Sequence, residues 1–305
     1  MSDHHILKRL PLKRRAFLGY GTLALASCSV VQPLRSSSPS EAIRPDRLRF
    51  AVTDLSGLGA LQQDFGAFRE ALADRLALPV EFFPVENYSA AAPAMLANEL
   101  DFVMAGPSEY LLLRARAEAI PLVGVTRSDY YTLFMTQAGS DIRSLADLKG
   151  KHIAMRTEGS TAGHIVPMKM LLDAGLSPDD YTVQMLNREG VEALRTGAVE
   201  AWTDSFSRYI ELVKEPGLEG TEIEVLAKSE PLPPDLFLVN PSLGEAFIAE
   251  LRSQMLNNAT DLLAALSASE ANAKYLESDM IAVQDADYKA LRDAYYAIGQ
   301  GSAIE

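Results

Sequence analysis

Twice along the chain, over residues 48–105 and again over 151–202, short apolar runs alternate with longer segments whose apolar residues recur at helical spacing. A β-α-β-α-β alternation leaves few folds open. A strand that runs parallel to its predecessor needs a crossover, and the crossover helix then covers one face of a shared sheet. In the first series, residues 48–52 read as a strand ending in the loop Thr53 to Gly59. Leu61, Phe65, Phe68, Leu72 and Leu76 then fall on one face of a helix that Pro79 ends. Residues 80–85 form a second strand, NYSAAAPAMLANEL a second helix, and residues 101–105 a third strand closed by Gly106-Pro107-Ser108. A helix over 109–118 and a strand over 121–125 follow.

An apolar segment at Tyr130 to Thr136 reads as a crossing strand, after which the alternation starts again. Strands are expected over 151–155, 181–185 and 199–202, with helices over 161–174, ended by Gly175, and over 190–196. The chain returns through residues 223–227 and the turn Ser229 to Pro234 to an apolar strand at 236–239. Residues from Leu243 onward are helical in pattern and are expected to pack on the first lobe. The resulting expectation is an α/β fold of two lobes, each a mainly parallel sheet flanked by helices, joined by two crossing strands. Residues 47–133 and 237–305 form lobe 1 and 134–236 form lobe 2. Loops at the carboxyl ends of the strands open onto one crevice, as in other open α/β sheets.

Residues 142–167, IRSLADLKGKHIAMRTEGSTAGHIVP, carry the chemistry of the second series. A Gly-Ser-Thr-Ala-Gly loop opens a helix directly after an apolar strand. Hydroxyls of Ser160 and Thr161, with the unpaired N–H groups of the first turn, can converge on a small oxyanion without lysine or arginine. Plain helix capping by either residue is the alternative, and both readings stand. His164 either reaches the cradle or lies on the helix surface, and His152 reads as a packed strand residue.

The N-terminus reads as an export signal over residues 1–27. Lys13-Arg14-Arg15-Ala16-Phe17-Leu18 leads into the apolar run AFLGYGTLALAS and stops at Cys28. Twin arginines fit the route that exports folded proteins. Leu25-Ala26-Ser27-Cys28 fits a bacterial lipobox, in which Cys28 carries lipid and anchors the protein to a membrane. Residues 28–46 cluster Ser, Pro and charge and read as a flexible tether. Cys28 is the single cysteine, so an intramolecular disulfide is excluded. Only His152 and His164 remain beyond the signal, so neither a metal site nor a cofactor is expected. The formal charge is −13 and falls to about −17 without the basic signal, which argues against nucleic acid as a partner. An acidic protein that binds an anion must hold it by local dipoles and hydrogen bonds.

With these segments in view, the chain resembles the substrate-binding components of phosphonate, phosphite and phosphate ABC transporters, within the type II periplasmic binding proteins. LRFAV, DFVMAGPSEY, YYTLFM, IRSLADLKGKHIAM, EGSTAGHIVPMKMLLDAG, GAVEAWTDS and SEPLPP carry the resemblance, in the family's order. It implies a lipoprotein receptor at the periplasmic face of the membrane, acting as a monomer. The receptor binds a small phosphorus oxyanion between its lobes and delivers it to an ABC permease and its ATPase, with no catalytic role. It implies that Ser160 and Thr161 hold the oxyanion by hydroxyl and Ala162 by backbone N–H, where relatives have a further hydroxyl. A tyrosine opening the crossing strand contacts ligand in relatives, which points to Tyr130 or Tyr131, with hinge packing as the alternative. Asp204 matches an acidic residue that accepts a hydrogen bond from a protonated ligand oxygen, against an exposed loop aspartate. Asp204, and Glu158 with it, would reject a fully deprotonated anion such as sulfate. Asp54 to Gly57, including Ser56, and Ser108 would hold the ligand from lobe 1. Arg188 stands near a position where relatives have histidine and reads as an oxyanion donor or a solvated charge. A different small ligand, such as selenate or an organic compound stacked on Trp202 and the tyrosine pair, is the alternative, as are a sensor partner and an enzyme on the same fold.

Overall fold

The computed structural model describes residues 44–53, 55, 57–86, 88–213 and 223–305. The export signal, Cys28 and most of the tether lie outside the described residues, as do Asp54 and Ser56. Arg44 already belongs to the body, pairing with Glu250 at 3.1 Å and lying over the Phe247 ring. The folded part thus starts before the expected boundary at residue 46.

The first alternation is present as β1 (Leu48–Val52), α1 (Leu58–Leu76), β2 (Val80–Phe82), α2 (Tyr88–Leu96), β3 (Phe102–Ala105), α3 (Pro107–Ala117) and β4 (Ile120–Val125). α1 buries Leu61, Phe65, Phe68, Leu72 and Leu76, the positions whose spacing marks it in the sequence. The chain then crosses into β5 (Thr132–Gln137), β6 (His152–Met155), a π-helical turn (Thr161–Ile165) running into α4 (Val166–Asp173), β7 (Thr182–Met185), α5 (Gly190–Thr196), β8 (Ala201–Ser205), α6 (Phe206–Val213) and β9 (Ile223–Lys228). It returns as β10 (Asp235–Val239), α7 (Glu245–Asn257), α8 (Ala259–Leu266), β11 (Met280–Ala282) and α9 (Lys289–Ala297).

Among the described residues the strands form two sheets, ordered β11-β4-β10-β3-β1-β2 and β7-β6-β8-β5-β9. The crossover units β2-β1-β3 and β7-β6-β8 are parallel. The remaining pairs are antiparallel. The parallel expectation therefore covers only three strands of each sheet, for a simple reason. β5 and β10 enter their lobes from the opposite lobe, so they start at the interlobe face where β3 and β8 end. They must run against their neighbours.

The crossings themselves are not strands. Residues 126–131 and 229–234 are irregular, whereas β5 lies wholly in the second sheet and β10 wholly in the first. The lobe boundaries expected at 133 and 236 thus move a few residues earlier at the first crossing and to before Asp235 at the second. The two crossings are laced together: Leu232 N donates to Tyr130 O at 2.9 Å and Ser229 N to Thr132 O at 3.0 Å.

Each sheet is covered on both faces. In lobe 1, Phe102 and Met104 of β3 face a core shared with α1, α7 and α8, while Val103 and Ala105 face a core shared with α2, α3 and α9. This is the two-residue period of a strand buried on both sides. Phe50 of β1 stands at the centre of the first of these cores, with ring centroids of Phe102 at 5.1 Å, Phe68 at 5.7 Å, Phe82 at 5.9 Å, Phe65 at 6.1 Å and Phe237 at 6.4 Å. Because Phe50 is fully buried and joins four elements, Phe50→Ala is expected to lower stability by about 3–5 kcal/mol. A urea unfolding curve with unchanged slope and a lower midpoint is the result that measures it.

Candidate functional site

Strand ends decide which residues meet between the lobes. Thr53 follows β1, Gly106 follows β3, Arg156, Thr157 and Ser160 to Ala162 follow β6, Arg188 follows β7 and Ser205 closes β8. Together with Arg127, Tyr130, Asp235 and Tyr275 they line a cleft of about 1070 Å³.

The β6–α4 connection is shaped by its π-helical turn, in which both His164 N and Ile165 N donate to Ser160 O, at 3.0 and 2.9 Å. π-turns are uncommon and concentrate at functional sites. The carbonyls of the turn point into lobe 2. Ala162 O accepts from Thr132 Oγ1 at 2.8 Å, and Gly163 O accepts from Thr203 Oγ1 at 3.3 Å and from Arg156 N at 3.1 Å. The first-turn N–H groups, which no helix pairs internally, are left at the N-terminal end beside the cleft. Gly163 is required by this packing, since a Cβ there would stand 2.5 Å from Arg156 Cβ.

Ser160 Oγ accepts from Gly163 N at 3.3 Å, so Ser160 does cap the turn, and a capping hydroxyl still has its proton to donate. Thr161 Oγ1 accepts from Ser108 N of the opposite lobe at 3.0 Å and lies beside the Tyr130 phenol. Burial, and after it the Asp235 carboxylate, raises the Tyr130 pKa, so this group remains a neutral donor. The Arg127 guanidinium lies 3.8 Å from the centroid of the Tyr130 ring. It pairs with Asp235 at 3.4 Å and donates to Ser207 Oγ, with both members of the ion pair 8% exposed. Tyr275 completes the cluster by donating to Asp235 Oδ2 at 2.7 Å.

Residues 58–296 match the family model described as ABC transporter, phosphonate, periplasmic substrate-binding protein. The chain belongs to this family. As a member, it is a periplasmic substrate-binding protein of an ABC transporter, and delivery to a permease is general to the family. The phosphate-import protein PhnD of Mycolicibacterium smegmatis is 22% identical over 284 residues, covering 81% of this chain and 84% of the relative. Two solved structures share the fold. PhnD1 from Prochlorococcus marinus in complex with methylphosphonate is 19% identical with a TM-score of 0.67, covering 84% of this chain and 100% of that one. XAC2383 from Xanthomonas citri bound to ATP is 18% identical with a TM-score of 0.70, covering 85% of this chain and 98% of that one.

The residues singled out in this phosphonate-family protein divide into groups. Ser160, Thr161, Ala162 and Tyr130 meet at the cleft. Ser108 is fully buried behind it, its N–H on Thr161 and its Oγ without a hydrogen-bond partner among the described residues. Tyr131 packs in lobe 2 against Phe206 at 5.1 Å, with Lys228 Nζ 3.4 Å from its ring centroid. Asp204 is 1% exposed inside β8, paired opposite Leu133, with Oδ1 accepting from Ser205 N at 2.7 Å. It is neither an exposed loop residue nor a lining residue, and Ser205 beside it lines the cleft instead. Arg188 reaches the rim, where its guanidinium pairs with Glu211 at 2.8 Å. Trp202 is fully buried among lobe 2 apolar side chains, so it offers no platform for an organic ring. His152 is exposed rather than packed.

Arg127, Arg156, Asp235, Tyr275 and Glu109 line the cleft and escape sequence reasoning. Arg156 carried the clearest signal, as the residue directly after an apolar strand and directly before the Gly-Ser-Thr-Ala-Gly loop. The cradle thus has arginine near it, although its hydroxyl and N–H donors do not require one.

His164 is buried, and its Nδ1 accepts from Gly159 N at 3.0 Å, which needs a neutral imidazole. Burial pushes its pKa down, against a smaller upward pull from Glu158. The folded state therefore prefers the unprotonated form more than the unfolded chain does. The stability gained is full above the unfolded value of about 6.5 and is lost as pH falls from there through the folded value. Thermal midpoints compared at pH 7.5 and 5.5 are expected to drop less in His164→Gln than in the unaltered protein.

Proposed function

We propose that the cleft binds a small phosphorus oxyanion, a phosphonate, phosphite or phosphate, at the N-terminal end of the π-helical turn. The donors are the hydroxyls of Ser160 and Thr161, the N–H of Ala162 and the phenol of Tyr130. The observation that carries this reading is the orientation of the turn. Its carbonyls are bonded into lobe 2, and its donor end, flanked by Arg156, meets the cleft. A helix N-terminus favours an anion through its dipole as well as its free N–H groups. Hinge motion at the laced crossings closes the lobes over the ligand, and the closed form engages the permease. The relatives named for phosphate import and solved with methylphosphonate support the same ligand class. A larger organic phosphate is the second reading, favoured by the cleft volume of about 1070 Å³ and by the ATP-bound relative.

The protein acts as a monomer and a binding component rather than an enzyme. It is held at the membrane through lipid on Cys28 and residues 29–43, after export by the twin-arginine route. Cells labelled with a fatty-acid probe are expected to show acylated protein that Cys28→Ser abolishes; persistent label in that variant would refute the anchor.

Calorimetric titration with phosphite, phosphate, methylphosphonate and sulfate tests the ligand class. One-to-one binding of a phosphorus anion is expected, and silence across the phosphorus set would refute the reading. Thr161→Val keeps the shape and removes the hydroxyl. A lost hydrogen bond to a charged ligand is worth about 1.5–3 kcal/mol, so affinity is expected to fall roughly ten- to a hundredfold.

A further inference from the structure

The turn that carries the cradle also reaches into the other lobe. Ile165 closes the π-helical turn, is fully buried and does not line the cleft. Its burial is not in lobe 2. It belongs to the core that holds Tyr110 and Leu111 of α3, Leu236 of β10, and Leu291 and Tyr295 of α9, and every other buried member of that core, among the described residues, comes from lobe 1. Val166, the next residue, packs against the same core. Leu171, farther along α4, is fully buried in the lobe 2 core with Leu148 and Ile153. The turn and the helix that continues it are thus shared between the cores of both lobes.

The turn is built to move as one piece with lobe 2. Ile165 N is bonded to Ser160 O at 2.9 Å, and the carbonyls of Ala162 and Gly163 are tied to Thr132 and Thr203. Thr161, within the same turn, accepts from Ser108 N at the start of α3. A motion that draws the cradle off α3 breaks this interlobe bond and withdraws Ile165 from the lobe 1 core. Exposing a fully buried isoleucine, and the space it leaves, opposes that motion. We propose that Ile165 is a positioning residue, an apolar latch that holds the cradle against lobe 1 and resists opening of the cleft with or without ligand. A contact equally present in the free and the liganded protein shifts no binding equilibrium. What the latch sets is rate, because entry and exit of the solute both wait for it to release.

Ser108 N supplies the readout, because its acceptor lies in the other lobe and its hydrogen exchange therefore follows lobe separation. Exchange is measured by NMR on the purified protein without ligand, on Ile165→Ala, and on Leu171→Ala, which removes similar apolar bulk from the lobe 2 core alone. Ile165→Ala is expected to speed Ser108 exchange at least about tenfold, Ile165→Val by a smaller factor, and Leu171→Ala not at all. Stopped-flow binding of methylphosphonate to Ile165→Ala is expected to show association and dissociation faster by similar factors, with Kd nearly unchanged. Unchanged Ser108 exchange in folded Ile165→Ala would overturn the latch and leave the cradle standing. Faster dissociation with unaltered association, the mark of a cradle merely loosened, would overturn it too. The kinetic measurement rests on the cradle being the ligand site, and the exchange measurement does not. Absence of phosphorus-anion binding in the unaltered protein would overturn the cradle, and the exchange result would then decide the latch alone. If Ile165→Ala does not fold, Ile165→Val decides: Ser108 exchange equal to that of the unaltered protein would overturn the proposal.

Discussion

Everything between the lobes depends on how the two crossings are tied. Leu232 N to Tyr130 O and Ser229 N to Thr132 O make residues 126–131 and 229–234 a two-ply connection with no regular strand in it. The Arg127–Asp235 pair sits at its base, both side chains 8% exposed. Burying two charges is costly, and the pair is tolerable because Tyr275 and Ser207 supply further hydrogen bonds. Arg127 reaches Asp235 of lobe 1 and Ser207 of lobe 2 at once, so this contact ties both cleft walls to the crossings.

On the proposed reading, anion recognition by so acidic a chain follows from locality. The formal charge of −13 acts at a distance and is screened by salt, whereas first-turn N–H groups and hydroxyls act within one hydrogen bond. The π-helical turn concentrates those donors by pulling its own carbonyls backward onto Thr132 and Thr203. Acidic groups then surround the donors without quenching them. Asp235 is occupied by Arg127 and Tyr275, and Glu109 accepts from Thr53 and Gly106.

Much of the fold was legible because local pattern determines it. The helical face of α1 and the extent of α5 came directly from apolar spacing and from glycine. What escaped was set by partners distant in the chain. Arg127 and Asp235 are 108 residues apart, and no local signal joins them. β11 is three residues long and exists only as an edge beside β4. Asp204 sits within its strand rather than beyond it for a definite reason. The strand was expected to end at Trp202, but β8 runs on to Ser205, which turns Asp204 from a loop residue into a strand interior. The tyrosine pair shows the same rule, since adjacent residues at a strand entrance face opposite ways. Tyr130 lies toward Thr161 and Tyr131 toward Phe206.

The order of the chain has a consequence for how this molecule is made. Lobe 2 is one uninterrupted excursion, from β5 to β9, and can collapse as soon as it is synthesised. Lobe 1 cannot, because β10 occupies the middle of its sheet, between β4 and β3, and arrives only after lobe 2 is complete. Until then the apolar edges of β3 and β4 have no neighbour, and such long-range pairing is slow to close. The cleft wall at Tyr275 comes later still. The cleft is therefore completed last, and a chain interrupted before its final quarter would lack the part of the wall that Asp235 and Tyr275 supply.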